Sequence, residues 1–222
     1  MSRIYTYYIT LVGVVCAYFI INLLFFTDLS TRTVQSDVLQ GFLIGCGLAV
    51  VTAQIYGWIK ATKINGWTTM FGLGVPGNGI LLRAACALLF PGPVVVPEEA
   101  MYWKTHTDGT GHVLGGAHDY IMHFSAGQLP PNNAFWSLTM GDAKNHFVPN
   151  PVKRYSVSDR SGLTQNADGS VDIYIQNTTP TGHELNWLPA PTGKFILWLR
   201  VYLPGVVILD RTYTVPPVVK IK

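Results

Sequence analysis

The sequence predicts a mainly β protein: an antiparallel jelly-roll or β-sandwich domain preceded by a two-helix transmembrane hairpin. Three observations carry that reading. Charge is scarce, at 12% of 222 residues, roughly half of what a soluble domain carries, and the deficit is uneven. Two long uncharged runs stand near the N-terminus. From Pro97 onward, short runs of alternating polarity are separated by turn residues.

The first uncharged run, Tyr5–Phe26, is close to the ~20 residues that cross ~30 Å of hydrocarbon. A backbone without water must satisfy its own hydrogen bonds, so a helix is expected. The run ends in Phe25, Phe26, Thr27 and Asp28, which is unlike the small-residue exit of a cleaved signal peptide. The second run, 38–59, reads VLQGFLIGCGLAVVTAQIYGWI. Gly41, Gly45 and Gly47 suit close helix approach, and Tyr56 and Trp58 stand where an aromatic belt would lie. A polar turn with Asp28, Ser30, Thr31 and Asp37 separates the two spans, 5–26 and 38–59.

A third apolar run, GILLRAACALLFPGPVVV, carries Arg83 at its middle and is stopped by Pro91 and Pro93. Charge at a bilayer centre is costly and proline breaks a helix. The expectation is a short helix at 79–90 on the globular domain, with Arg83 at its rim. Arg3, Lys60 and Lys63 flank one side of the hairpin and Arg32 the other. By the positive-inside rule the domain faces the cytoplasm; the alternative is a periplasmic or extracellular domain.

The domain, residues 63–222, shows strand signals in order. HDYIMHFSAG alternates, with Asp119, Ile121 and His123 opposite Tyr120, Met122 and Phe124. AFWSLTMGD reads as a strand. HFVPNPVKRYSVSD carries two prolines and suits an edge segment. NADGS is a turn feeding VDIYIQN. In FILWLRVYLP, Phe195, Leu197, Leu199 and Val201 share one face, and Ile196, Trp198, Arg200 and Tyr202 the other. Many short strands at steady spacing without intervening helices imply a sandwich or jelly roll.

Several blocks carry a family resemblance: GGAHDYIMHFSAGQLPPNNAFWSLTMGD, NPVKRYSVSDRSGL, NADGSVDIYIQ and NWLPAPTGKFILWLRVYLP. They resemble the bacterial family called domain of unknown function 1214, from about Asn65 to Val215. The resemblance implies a jelly-roll-like fold and no established reaction. Lys153 stands where that pattern has Asn, and Gly141 where it has a bulkier residue. Larger relatives carry a second β-rich domain, which the hairpin replaces here.

The chemistry-bearing residues give no complete motif. Cys16, Cys46 and Cys86 match no zinc or redox spacing. Asp119 and His123 share a strand face but lie roughly 13 Å apart along it, too far to chelate one ion. No metal and no cofactor is expected. Ser137 lacks a nucleophile elbow. Asp159, Asp168, Asp172 and Glu184 are the carboxylates that glycoside chemistry would use. Asp119, His123, Arg154, Tyr155, Asn186, Trp187, Arg200 and Tyr202 are the candidate ligand-binding residues; if they converge, they form a cleft that stacks and hydrogen-bonds a polar ligand. The competing reading makes them ordinary rim and core residues, with Arg154 or Arg200 paired to Asp159 or Asp172.

The expected partners are a lipid bilayer and either a polar small molecule or a membrane protein. With a net charge of +3 and no basic run, nucleic acid is not expected. The leading functional expectation is a membrane-anchored β-sandwich module binding a polar small ligand or a protein partner. The alternatives are a hydrolase-type enzyme acting on a carbohydrate or ester, and a structural subunit of a membrane complex.

Overall fold

The computed structural model describes residues 34–90 and 94–222. The chain divides into two compact units, with the break between Trp58 and Ile59. In the first unit, α1 runs over Val34–Lys60. It contains no proline, and Lys60 in its last turn complements the negative end of the helix dipole. Its Val38–Lys60 portion is long and apolar enough to cross a membrane, with mean hydropathy 1.8. Val38, Leu39, Phe42, Leu43, Leu48 and Val50 are all exposed along it. The second expected span therefore falls on a continuous helix, and the first lies outside the described residues. At Gly41, Gly45 and Gly47 nothing among the described residues comes within 4 Å of an added Cβ.

The second unit contains two sheets. The larger is built from β1 (Thr62–Ile64), β2 (Trp67–Thr69), β3 (Ala100–Thr105), β5 (Asn132–Asp142), β6 (Ser156–Ser158) and β9 (Phe195–Pro204), in the order β1-β2-β3-β9-β5-β6. The smaller is built from β4 (Tyr120–Phe124), β7 (Val171–Gln176), β8 (Trp187–Pro189) and β10 (Val218–Lys220), in the order β10-β4-β7-β8. All pairs are antiparallel except β7 with β8, which is parallel. The sequence reading expected antiparallel pairing throughout. The parallel pair arises because the chain after β7 crosses over through a 3-10 turn at Glu184–Asn186 before β8 begins.

Alternation dictates the layers. Phe195, Leu197, Leu199 and Val201 of β9 face the smaller sheet and are buried with Met122, Phe124, Ile173 and Ile175. Full burial of such side chains contributes about 1.5–3 kcal/mol each. The opposite face of β9 presents Ile196 and Trp198, which pack with Tyr102, Cys86 and Phe90. The larger sheet is thus covered on both sides. The second cover is α2, Ile80–Leu89, a helix within the 79–90 range where a short one was expected, and Arg83 is exposed on it. The sandwich is therefore three layers deep over this part. A further short helix, α3, spans Val206–Leu209.

Geometry requires glycine at Gly66 and at Gly116. Asn65 and Gly66, with φ of 51° and 83°, form the two-residue turn between β1 and β2, a pairing of residue types that tolerates this left-handed hairpin geometry. Gly116 lies so close to Pro191 that an added Cβ would sit 1.6 Å from its carbonyl oxygen.

Candidate functional site

The candidate residues fall on two separate faces and do not form one cleft. On the outer face of the smaller sheet, β4 and β7 place His123 directly opposite Asp172. His123 Nδ1 lies 2.7 Å from Asp172 Oδ1. Asp172 Oδ2 also accepts a hydrogen bond from Asn166 Nδ2 at 2.9 Å. Asp119 precedes β4 at the far end of the same strand; its main chain is tied to Ile221 and Lys222. His123 and Asp119 share a face, as alternation requires, and are not partners.

Beside this face, Asn186 is buried and fully used by the main chain. Its Nδ2 donates to the carbonyls of Thr164 and Asp172, both at 2.8 Å, and its Oδ1 accepts from the Thr164 amide at 2.7 Å. Trp187 is also buried, and its Nε1 donates to the Gln176 carbonyl at 2.9 Å. Among the described residues Arg154 does not pair with a carboxylate. Its Nη1 donates to the carbonyls of Glu184 and Trp187, stitching the edge of the larger sheet to the crossover before β8. Tyr155 packs its ring on Phe147, with centroids 5.5 Å apart. Arg154, Asn186 and Trp187 therefore hold the crossover rather than present free polar atoms.

Arg200 and Tyr202 point to the other side of the larger sheet. Tyr202 stacks on Phe135 at 4.5 Å. Arg200 lies over the Trp198 indole, 5.9 Å from its centre, and Lys104 lies over the same ring at 5.2 Å. The register explains the grouping: β3 sets Lys104 against Trp198 and Tyr102 against Arg200. Burial holds the Lys104 ammonium below the ordinary lysine range. His106 is also lowered, first by burial and then by the positive charges of Lys104 and Lys63. Among the described residues no carboxylate lies within ion-pair distance of Lys104 or Arg200, and the recorded close pairs are His112–Asp108, His123–Asp172 and His146–Asp142. The arrangement is a cationic face built on an indole. The sequence reading placed Arg200 and Trp198 on one side of β9 but missed Lys104, because cross-strand register is not written in the local pattern.

The carboxylates considered for paired acid and base work are each engaged locally. Asp168 accepts from the Ser170 hydroxyl at 2.6 Å, and Glu184 from the Gly182 amide at 3.0 Å. Asp159 is approached by Asn132 Nδ2 at 3.4 Å. Among the described residues no group of three or more His, Cys, Asp or Glu is placed to hold a metal ion. A pocket of about 450 Å³ lies between α2 and the turn at residues 74–78, lined by Val75, Asn78, Arg83, Cys86, Phe90 and Val94 among others. It contains none of the candidate residues.

Residues 99–206 match the family described as Protein of unknown function (DUF1214). No curated protein matches the chain. Among solved structures, the VPA0106 protein from Vibrio parahaemolyticus is similar with 29% identity and a TM-score of 0.55, over 66% of this chain and 36% of that one. An uncharacterized protein from Burkholderia cenocepacia is 17% identical with a TM-score of 0.36, over 55% of this chain and 29% of that one. The chain thus spans well under half the length of either.

Proposed function

We propose, from the match of residues 99–206 to the family described as Protein of unknown function (DUF1214), a membrane-anchored β-sandwich module that binds a small polar anion. In this reading α1 holds the protein in a bilayer, and the half-buried Lys104 and Arg200, beside the buried Trp198 indole, meet the ligand at the edge of the layer that α2 covers. The observation that carries it is the pair of cations over one indole, 5.2 and 5.9 Å from its centre, with no carboxylate at ion-pair distance among the described residues. A half-buried ammonium loses hydration that an anionic ligand restores. The domain lies on the cytoplasmic side in this reading, supported by Lys60 and Lys63 beside the end of α1.

The test is thermal unfolding of the full chain in detergent with inorganic phosphate or succinate. A ligand that binds only the folded state raises the Tm by mass action, by about 5–10 °C near saturation for a chain of this size. Lys104→Met and Arg200→Met each abolish the rise. Equal rises in wild type and both variants sink the proposal. Labelling of a Val113→Cys variant from outside intact cells would overturn the cytoplasmic placement.

The second reading is a hydrolase acting on a carbohydrate or ester, favoured by the 2.7 Å His123–Asp172 pair. A carboxylate that orients a histidine is half of a general-base assembly. No hydrogen bond from a described Ser, Thr or Cys reaches the other ring nitrogen, so water would be the nucleophile. Turnover of p-nitrophenyl esters or glycosides that is lost in His123→Ala would establish it.

A further inference from the structure

The helix α2 has two apolar faces, and among the described residues only one is covered. Leu82, Ala85, Cys86 and Leu89 fall at i, i+3, i+4 and i+7 and pack on the larger sheet. Ile80, Ala84 and Leu88 fall at i, i+4 and i+8 on the opposite side and are exposed, Ile80 to 86%. The ten-residue helix has a single charge, Arg83, and no acidic residue. A helix that is apolar all round is normally buried, so this outer face requires a cover.

Chain connectivity bears on the cover. Only Ala61 separates the last residue of α1 from the first strand, and Ala61 packs against the same buried residues as α2. The chain therefore enters the domain in the layer that α2 occupies. Arg83 borders the pocket between α2 and the 74–78 turn, whose walls are otherwise largely apolar, with Val75, Phe90 and Val94 among them. That combination of one guanidinium over apolar walls suits a phosphate headgroup with its acyl chains.

We propose that the outer face of α2 rests on the bilayer surface and that Arg83 takes the headgroup of an anionic phospholipid. This rests on the reading that α1 sits in that bilayer. It assigns a docking surface distinct from the Lys104–Trp198–Arg200 face.

The test uses the full chain with a photoreactive benzoylphenylalanine at Ala84, Ile80, Leu43 or Val113, reconstituted in liposomes. One preparation contains phosphatidylethanolamine and phosphatidylglycerol in equal parts, the other phosphatidylcholine alone. Irradiation should give phospholipid adducts at positions 84, 80 and 43 and none at 113. The adduct at 84 should be about fivefold more abundant with phosphatidylglycerol, the effect of one basic residue near an anionic surface, and Arg83→Gln should remove that ratio. Adducts at 43 with none at 84 or 80 overturn the docking while leaving the anchor standing. Absence at 43 as well overturns the anchor. A covalent dimer or a crosslink to another protein at 84 replaces the lipid with that occupant, and equal yields in the two lipids overturn the role of Arg83.

Discussion

His123 and Asp172 face each other across the β4–β7 ladder, with Nδ1 and Oδ1 2.7 Å apart. The histidine side chain is half exposed and the aspartate 20% exposed. Solvent screens such a pair, so the interaction is worth little compared with a buried one. A double-mutant cycle with His123→Ala and Asp172→Ala should give a coupling of about 0.5–1 kcal/mol in urea unfolding of the detergent-solubilised chain. A coupling near zero would mean that the two side chains do not hold each other in solution, and the hydrolase reading would lose the dyad on which it rests.

Asn186 is a different case, because its amide is buried and every arm is used. It bridges Thr164 and the Asp172 carbonyl ahead of β8. Truncation to alanine strands two carbonyls and an amide in the interior, each costing about 1–3 kcal/mol unless water enters. Asn186→Ala should destabilise by at least about 2 kcal/mol, while Glu184→Gln two residues earlier should stay within about 0.5 kcal/mol. Loss at Asn186 no larger than at Glu184 would show that the crossover is not held by this side chain.

That contrast shows what the sequence could and could not reveal. Alternation in YIMHF, VDIYIQ and FILWLRVYLP assigned each side chain to its correct face, because successive side chains of a strand point to opposite faces of the sheet. The helix at 80–89 was legible from one charge and two prolines. The β1–β2 hairpin was not read, although Asn65–Gly66 is a strong local turn signal; its strands are only three residues each. β10 was missed for the same reason. Of the candidate site, the residue types were legible but their grouping was not. Which of Arg154, Asn186 and Arg200 spends its polar atoms on the backbone depends on partners 14 to 33 residues away or on cross-strand register, and local pattern carries neither.

Lys153 has a φ of 53°, in the left-handed region, where a side chain with a Cβ is strained. It sits in the turn in which the Arg154 amide is bound by Asn150 Oδ1 at 2.9 Å. Asn visits this conformation at lower cost. Lys153→Asn or Lys153→Gly should therefore stabilise the domain by about 0.5–1 kcal/mol, read as a higher midpoint in urea. A loss of stability in both variants would mean that the lysine side chain contributes more than its backbone costs.

His106 should report on the cations beside it. Burial, then Lys104 and Lys63, hold it below the usual histidine value of 6.5. The folded state thus binds a proton less readily than the unfolded one, so this contribution to stability is complete above pH 6.5 and is lost as pH falls through the lower folded value. Lys104→Met removes one of the two repelling charges. The His106 ring resonances in NMR should titrate at higher pH in that variant, and unchanged titration would mean that Lys104 is screened from it.

Asp108 gives an acid limb of its own. Its side chain is 6% exposed, and burial alone would raise it. The Thr110 hydroxyl at 2.7 Å and the Thr110 and His112 amides, both at 2.9 Å, outweigh burial and hold the carboxyl below its ordinary 3.8. A depressed carboxylate stabilises the fold above the unfolded value and loses that contribution as pH falls through the folded one. The Tm of the wild type should therefore drop steeply below about pH 4. Asp108→Asn should be less stable at pH 7 and show a flatter acid limb, and Thr110→Val should lie between the two. Parallel acid limbs in wild type and Asp108→Asn would place the acid sensitivity in the exposed Asp142 and Asp168 instead, both of which are also held below the ordinary range by hydrogen bonds to their own loops.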